Sequence, residues 1–315
     1  MSATTTLRHR KSISVKLEKL TPVVVTGSEK RLYKFDELPE WQQDNEMIIT
    51  GYIRETRSVK KCLKSLFQFH NESINIYTHL IPTITYLLLL VGLANAYLIP
   101  RFPDSTMTQY LMINFFLLGA VLCLGCSSFF HCLKQHSESH CHIWSKVDYM
   151  GIIIMITCSM ISILYYGFHD HIFHFKCFTV FTVVLGTICT VFALHDKFDS
   201  KTFRPFRAMF YVTFGLSGVV PILTGFYKFG AYEAIRRTQL KYILFEGMFY
   251  IAGAVIYGFR FPEVLAPGKF DFVGHSHQIF HIMVVLGSIC HFRAIIGSYI
   301  FMHTGLHHSS FVLSR

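Results

Sequence analysis

Long apolar stretches alternate with short polar ones along most of the chain. Seven of the apolar stretches are long enough for a helix that crosses a membrane, which needs about 20 mostly apolar residues. The fifth contains Pro221 and several glycines, which membrane helices tolerate where neighbouring helices satisfy the freed backbone groups. The stretches lie near residues 75–98, 108–132, 147–168, 172–195, 207–229, 241–259 and 276–302. The pattern therefore predicts an all-α fold, a bundle of seven membrane-spanning helices.

The composition agrees with a membrane protein. Hydrophobic residues make up 52% of the chain and charged residues only 15%, whereas soluble domains carry about 25% charged residues. The mean hydropathy is +0.40. Much of the net charge of +10 lies before residue 73, where it suits a segment beside anionic lipid better than a nucleic-acid site.

The distribution of positive charge predicts the orientation. Of the 29 Lys and Arg residues, 21 fall on the side of the predicted bundle that holds the N-terminus. Positive charge is retained in the cytosol, so we expect a cytosolic N-terminus and an extracytosolic C-terminus. The predicted organisation is a cytosolic N-terminal tail (1–54), an interfacial amphipathic helix (55–72), the seven-helix membrane domain (73–304) and a short extracytosolic tail (305–315).

The amphipathic segment has two possible interpretations. Val59 and Leu63 share one helical face, and Lys60, Lys61 and Lys64 share the other. That arrangement is typical of a helix lying on the inner leaflet, and a cytosolic extension of the first span remains the alternative.

Several polar residues lie near the span ends, where ionisable groups are candidates for function. His131 ends the second predicted span, Asp148 begins the third, and His277 and His281 begin the seventh. Because successive spans alternate in direction, all three ends lie at one leaflet, which the charge distribution makes the cytosolic one. His277 and His281 are four residues apart and share a helix face.

These residues predict a metal site. Three imidazoles leave a fourth position open for water, the pattern of catalytic zinc. Asp148 can hold that water or act as its base, and Ser127, one turn before His131, can steady the water or a substrate oxygen.

Other interpretations remain open. The two histidines of the seventh span can simply hydrogen-bond between helices. A second candidate metal site is the loop with His136, His140, Cys141 and His142. Cys123 and Cys126 are expected to be packing residues. A polar stripe in the first span is expected to face the bundle interior; it consists of Glu72, Asn75 and His79.

The chain resembles the progestin and adipoQ receptor family, which includes the adiponectin receptors, hemolysin III-like proteins and a fungal branch tied to zinc and sterol homeostasis. The matching stretches run from Leu38 to His281, and they are LPEWQQDNEMIITGY, SLFQFHNESINIYTHL, SSFFHCLKQHSE, SKVDYMG, GLSGVVP, FPEVLAPGKFD and SHQIFH. The fungal branch is the most similar.

The resemblance implies seven helices, a cytosolic N-terminus and a zinc ion near the inner leaflet. By motif, the zinc ligands are His131, His277 and His281, the water-holding aspartate is Asp148 and the site serine is Ser127. A relation to alkaline ceramidases implies hydrolysis of lipid amides.

Two functions stay open. The first is a zinc-dependent hydrolase of ceramide-like lipids. The second is a receptor or regulator in which zinc is purely structural and the ligand is a membrane lipid, a sterol or an extracellular protein. Both imply a role in zinc, sterol or sphingolipid homeostasis, in the plasma membrane or the endoplasmic reticulum.

The orientation yields a first prediction. Asn71-Glu72-Ser73 is the only N-x-S/T sequon in the chain, and the predicted topology places it in the cytosol. We expect no glycan on Asn71. An endoglycosidase-sensitive gel shift that the Asn71→Gln variant lacks would contradict the orientation.

Overall fold

A computed structural model describes residues 31–200 and 203–312 of the chain, with the backbone alone for residue 199 and residues 305–312. Contacts divide the chain into two units after Arg31, and the helices lie in the second unit, Leu32–Arg315. It is helical, and the seven predicted spans are confirmed as helices long and apolar enough to cross a membrane. They are Ser73–Arg101, Met107–Leu133, Glu138–Phe168, Ile172–Leu194, Arg204–Thr238, Leu240–Phe259 and Ser276–Thr304.

The first, fifth and seventh spans differ in detail from the sequence pattern. The first contains a helix over Ser73–Leu93, a π-helical turn over Ala94–Leu98 and a last turn over Ile99–Arg101. The fifth consists of two helices, Arg204–Leu216 and Val219–Thr238. The last helix continues to Val312, beyond the predicted end at residue 302.

The third span begins earlier than predicted. Its helix covers Glu138–Phe168, so the predicted loop with His140, Cys141 and His142 is wrong and these side chains lie in the first turns of the helix. Ser137 at the cap position and Glu138 in the first turn suit a helix N-terminus. Hydropathy did not reveal this start, because a helix can continue past the apolar stretch that crosses the membrane.

The second and third spans pack closely at two glycines. A Cβ atom on Gly119 would lie 2.6 Å from Cys158 Cβ, and one on Gly151 would lie 3.0 Å from Cys123 Cα. Small residues allow such close approach between membrane helices. The contact confirms that Cys123 is a packing residue, and it fixes the end of the second span beside the start of the third.

The main hydrophobic core lies among the first, second, third and seventh spans. Its buried side chains include Tyr86, Phe116, Leu124, Met155 and Ile295. This core fixes the relative positions of the helix ends that carry the predicted metal ligands.

The residues before the first span are folded. Tyr33 and Tyr52 pair as an isolated β-bridge. The backbone N–H groups of Ile49 and Thr50 donate to the buried Asp271 carboxylate at 2.9 and 2.8 Å, and Thr50 Oγ1 donates to it at 2.7 Å. Residues 33–57 therefore pack on the loop before the seventh span; their assignment to a cytosolic tail stays a prediction.

A short helix, Val59–Ser65, precedes the first span. Cys62 and Ser65 are buried against the bundle, whereas Val59 and Leu63 are exposed together with the lysines. An exposed apolar face beside lysines fits a helix that lies at a membrane surface, and this location stays a prediction.

Replacement of Asp271 tests how the N-terminal segment is held. Asp271→Ala leaves two backbone N–H groups without their acceptor, so we expect a loss of at least about 2 kcal/mol in the free energy of unfolding. Thermal unfolding in detergent, and the rate of proteolysis within residues 33–57, measure it.

Lys269→Ala, at an exposed position of the same loop, is the matched control and should change neither quantity. Equal proteolysis in Asp271→Ala and wild type would show that the segment is held in another way.

Candidate metal centre

Three histidines converge where the second and seventh spans meet. His131 lies in the last turn of the second span, and His277 and His281 lie in the first turns of the seventh. Each pair of ring centroids is 4.8 Å apart, and one nitrogen from each ring lies within 4.8 Å of the other two. His131 and His281 are 0% and 1% exposed. No other such group of three occurs among the described residues.

Hydrogen bonds fix the tautomers of two of the rings. His131 Nδ1 donates to Glu72 Oε2 at 2.8 Å, and His281 Nδ1 donates to the Asn75 carbonyl oxygen at 3.0 Å. Each ring therefore presents Nε2 with its lone pair to the centre of the group. This is the usual arrangement of metal-ligating histidines.

The residues present fit a metal ion. His131 Nε2 is buried and has no hydrogen-bond partner in the described part of the chain, and buried polar atoms are rarely left unpaired. Three neutral imidazoles suit Zn²⁺, which takes nitrogen ligands in tetrahedral sites and keeps an open position when catalytic.

Glu72 is the residue whose role the sequence did not predict. It ends the segment before the first span, and its other oxygen, Oε1, accepts from Lys134 Nζ at 2.8 Å. Asn75 Nδ2 donates to Oε2 at 2.6 Å. Burial alone would raise the pKa of Glu72, but the charge of Lys134 and the hydrogen bond from His131 outweigh it and hold that pKa well below its ordinary value.

His79 supports His281 from the first span. The two rings stack with centroids 3.7 Å apart and an angle of 8° between their planes, and His79 Nε2 donates to the His281 carbonyl oxygen at 3.3 Å. The prediction that the polar stripe faces the bundle interior is confirmed, since Asn75 and His79 are buried. The spacing of the stripe was the only signal in the sequence for these supporting contacts.

Asp148 and Ser127 lie beside the histidines. Ser127 is buried one turn before His131, and Asp148, in the third turn of the third span, hydrogen-bonds to Ser127. Both side chains line the same cavity as His277 and His281. The structure thus brings together all five residues that the sequence singled out, while their chemical roles stay predictions.

The rival histidines form no comparable site. His136 and His140 stack at 3.7 Å, and Ser137 Oγ hydrogen-bonds to Nδ1 of both rings at 3.1 Å. His275 is buried next to the Asn71 carbonyl oxygen, outside the group of three.

A cavity of about 910 Å³ extends from His277 and His281 into the bundle. Its size falls in the range of small-molecule sites. The third, fifth, sixth and seventh spans line most of it with apolar side chains. Examples are Met155, Val212, Ile251, Phe280 and Val284.

At its near end the N-terminal segment contributes Asp44, whose Oδ2 accepts from Arg204 Nη2 at 2.8 Å. Burial favours the neutral form of Asp44, but Arg204 and other cations outweigh it, so the pKa of Asp44 is lowered.

Comparison with known proteins identifies the family of this chain. Residues 67–292 match the family described as Haemolysin-III related. This chain belongs to the haemolysin-III-related family. The match covers the segment from Phe67, just before Glu72, to Phe292 in the seventh span, and so includes all three converging histidines.

Three relatives of this haemolysin-III-related protein carry receptor names. The ADIPOR-like receptor IZH1 of Eremothecium gossypii is 55% identical over 305 residues, 96% of each chain. The ADIPOR-like receptor IZH2 of Saccharomyces cerevisiae is 46% identical over 87% of this chain and 86% of its own. The Adiponectin receptor protein of Drosophila melanogaster is 38% identical over 83% of this chain, which spans 58% of that relative. The resemblance found in the motifs, including its fungal branch, is confirmed.

The hydrogen bond from His131 to Glu72 yields a prediction about metal affinity. In Glu72→Gln the amide oxygen can still accept from His131 but carries no charge, so we expect Zn²⁺ affinity to fall about 10-fold. Competition with a coloured chelator on purified protein measures the affinity.

Lys134→Gln is the matched control. Like Glu72→Gln, it removes the ion pair between Lys134 and Glu72, but it leaves the Glu72 carboxylate in contact with His131. It should bind Zn²⁺ nearly as wild type does. If the two variants lose affinity equally, Glu72 does not act through His131.

Proposed function

We propose that the chain is a zinc-dependent hydrolase that cleaves the amide bond of ceramide-like lipids within the membrane, with a role in zinc, sterol or sphingolipid homeostasis. One observation carries the proposal. Three histidines converge beside a carboxylate and a serine at the end of a large apolar cavity, and hydrogen bonds orient two of the rings, His131 and His281. A lipid chain fits that cavity, and its polar end then meets the histidines.

His131, His277 and His281 would hold the ion through their inward-facing nitrogens. A zinc ion in such a site lowers the pKa of a bound water towards about 7 and polarises a carbonyl group. The contacts of Glu72 and Asn75 keep the rings in position, so little reorganisation is needed before reaction.

Asp148 would transfer the proton, and Ser127 would hydrogen-bond to the substrate. The Asp148 carboxylate accepts a proton from the water as its oxygen bonds to the amide carbon, and it returns the proton to the nitrogen as the C–N bond breaks. The Ser127 hydroxyl donates to the substrate oxygen. Water is consumed, and the products are a fatty acid and a long-chain amine.

A receptor or regulator is the second candidate, and the names of the relatives favour it, since three of them are called receptors. In this version zinc holds the second and seventh spans together without turnover. A lipid, a sterol or an extracellular protein is the ligand, in the plasma membrane or the endoplasmic reticulum.

Replacement of Asp148 separates the two candidates. In Asp148→Asn we expect ceramide turnover by purified protein in lipid nanodiscs to fall about 100-fold or more, because the general base is lost. Bound zinc, measured by mass spectrometry of the metal, should be retained, since Asp148 is not one of the three nitrogen ligands.

Asp196→Asn is the matched control, because the Asp196 side chain is 92% exposed and its loss should leave turnover unchanged. A wild type that binds zinc but cleaves no ceramide would exclude the hydrolase and leave the receptor. A wild type that binds no zinc would exclude both.

A further inference from the structure

A second polar cluster lies inside the membrane bundle, away from the three histidines. His291 of the seventh span bonds through Nδ1 to Glu246 Oε2 of the sixth at 2.7 Å. Its Nε2 donates to the Ser159 carbonyl oxygen of the third span at 3.1 Å. Glu246, His291 and Ser159 are buried, and an ionisable pair at such a place is a candidate for function.

The contact lies inside the bundle, where a polar group without a partner is costly. The ring of His291 satisfies Glu246 through one nitrogen and the third span through the other.

Two hydroxyl groups next to this pair lack partners. Ser159 Oγ and Tyr250 Oη are buried and have no hydrogen-bond partner among the described residues, and Ser159 is only 4% exposed. A cluster that serves structure alone would normally pair such groups. Ser159, Tyr250, Glu246 and His291 all line the cavity that reaches the candidate metal centre.

The two polar regions stand at a defined separation. Ten residues separate His281 from His291 along the seventh span, and eleven separate Asp148 from Ser159 along the third. At about 1.5 Å per residue, the distance along the helix axes is about 15 Å. The cavity wall between them is apolar, with Ile156, Ile251 and Val284.

We propose that this cluster binds a hydroxyl group on the lipid chain, so that the cavity selects acyl chains hydroxylated about twelve carbons from the carbonyl carbon. With C–C bonds of about 1.5 Å and angles of about 111°, an extended chain advances about 1.25 Å per bond, so 15 Å corresponds to about twelve carbons. The inference rests on the proposed function in one respect, that the cavity holds a lipid chain.

A neutral hydroxyl group suits the cluster better than a charged group. It can accept from Ser159 or Tyr250 and donate to Glu246. An ionised group would need a counter-charge of its own beside Glu246 and His291, which already pair with each other, and an unpaired charge is costly in a buried site.

Binding of three fatty acids to the zinc-loaded full chain in nanodiscs tests the inference. They are octadecanoate, 12-hydroxyoctadecanoate and 2-hydroxyoctadecanoate, and affinity is measured by calorimetry. We expect the 12-hydroxy acid to bind about 3- to 10-fold more tightly than octadecanoate, the worth of one buried hydrogen bond. This advantage should disappear in whichever of Ser159→Ala and Tyr250→Phe removes the donor, and the affinity of both variants for octadecanoate should equal that of wild type.

Ser162→Ala is the matched control on the third span. Ser162 Oγ donates to the Met112 carbonyl oxygen at 2.8 Å, so its loss can affect stability, but the preference for the 12-hydroxy acid should remain. Equal binding of all three acids, or an advantage that persists in both Ser159→Ala and Tyr250→Phe, would overturn the inference alone. If no acid binds, the lipid cavity of the proposed function fails as well.

Discussion

The hydrogen bond between Glu72 and His131 is the contact on which the candidate site depends. It joins the segment before the first span to the end of the second, and Lys134 neutralises the carboxylate at 2.8 Å. A buried carboxylate without such partners would be costly. Because one oxygen of Glu72 binds the cation and the other orients the imidazole, the same group secures the helix end and directs Nε2 of His131.

The bundle has a closely packed side and a side that encloses the cavity. The first, second, third and seventh spans share the main hydrophobic core, and close packing at Gly119 and Gly151 fixes the second span against the third. The cavity lies between the third, fifth, sixth and seventh spans. The rigid side can therefore hold ligand atoms in position, while the other side encloses space for a flexible apolar molecule.

Much of the site was predictable from the sequence, and the reason is geometric. Alternating helix direction places His131, Asp148 and the two histidines of the seventh span at one leaflet without any knowledge of packing. The role of Glu72 and the contact between His291 and Glu246 were not predictable in this way. Both depend on which helices are neighbours and how each is rotated, which periodicity along one helix does not determine.

The same limit applies to the segment before the first span. Its bonds to Asp271 join residues more than 200 positions apart. Backbone donors do not depend on side-chain identity, so no pattern in the sequence indicates them. The early start of the third helix at Glu138 was missed for a related reason, since hydropathy describes the part of a helix within lipid and not the turns beyond it.

Charge at the candidate site connects the two proposed functions. The charges of Glu72 and Lys134 cancel, and a divalent ion beside an ionised Asp148 would leave one net positive charge in a poorly solvated place. Such a charge is stable only with an anion nearby. Under the proposed function, the carboxylate of a fatty acid would supply it, with the acyl chain in the cavity. The same positive charge would retain the fatty acid product of a hydrolase or bind a fatty acid as the ligand of a receptor. Affinity for fatty acids therefore does not distinguish a hydrolase from a receptor, whereas turnover of ceramide does.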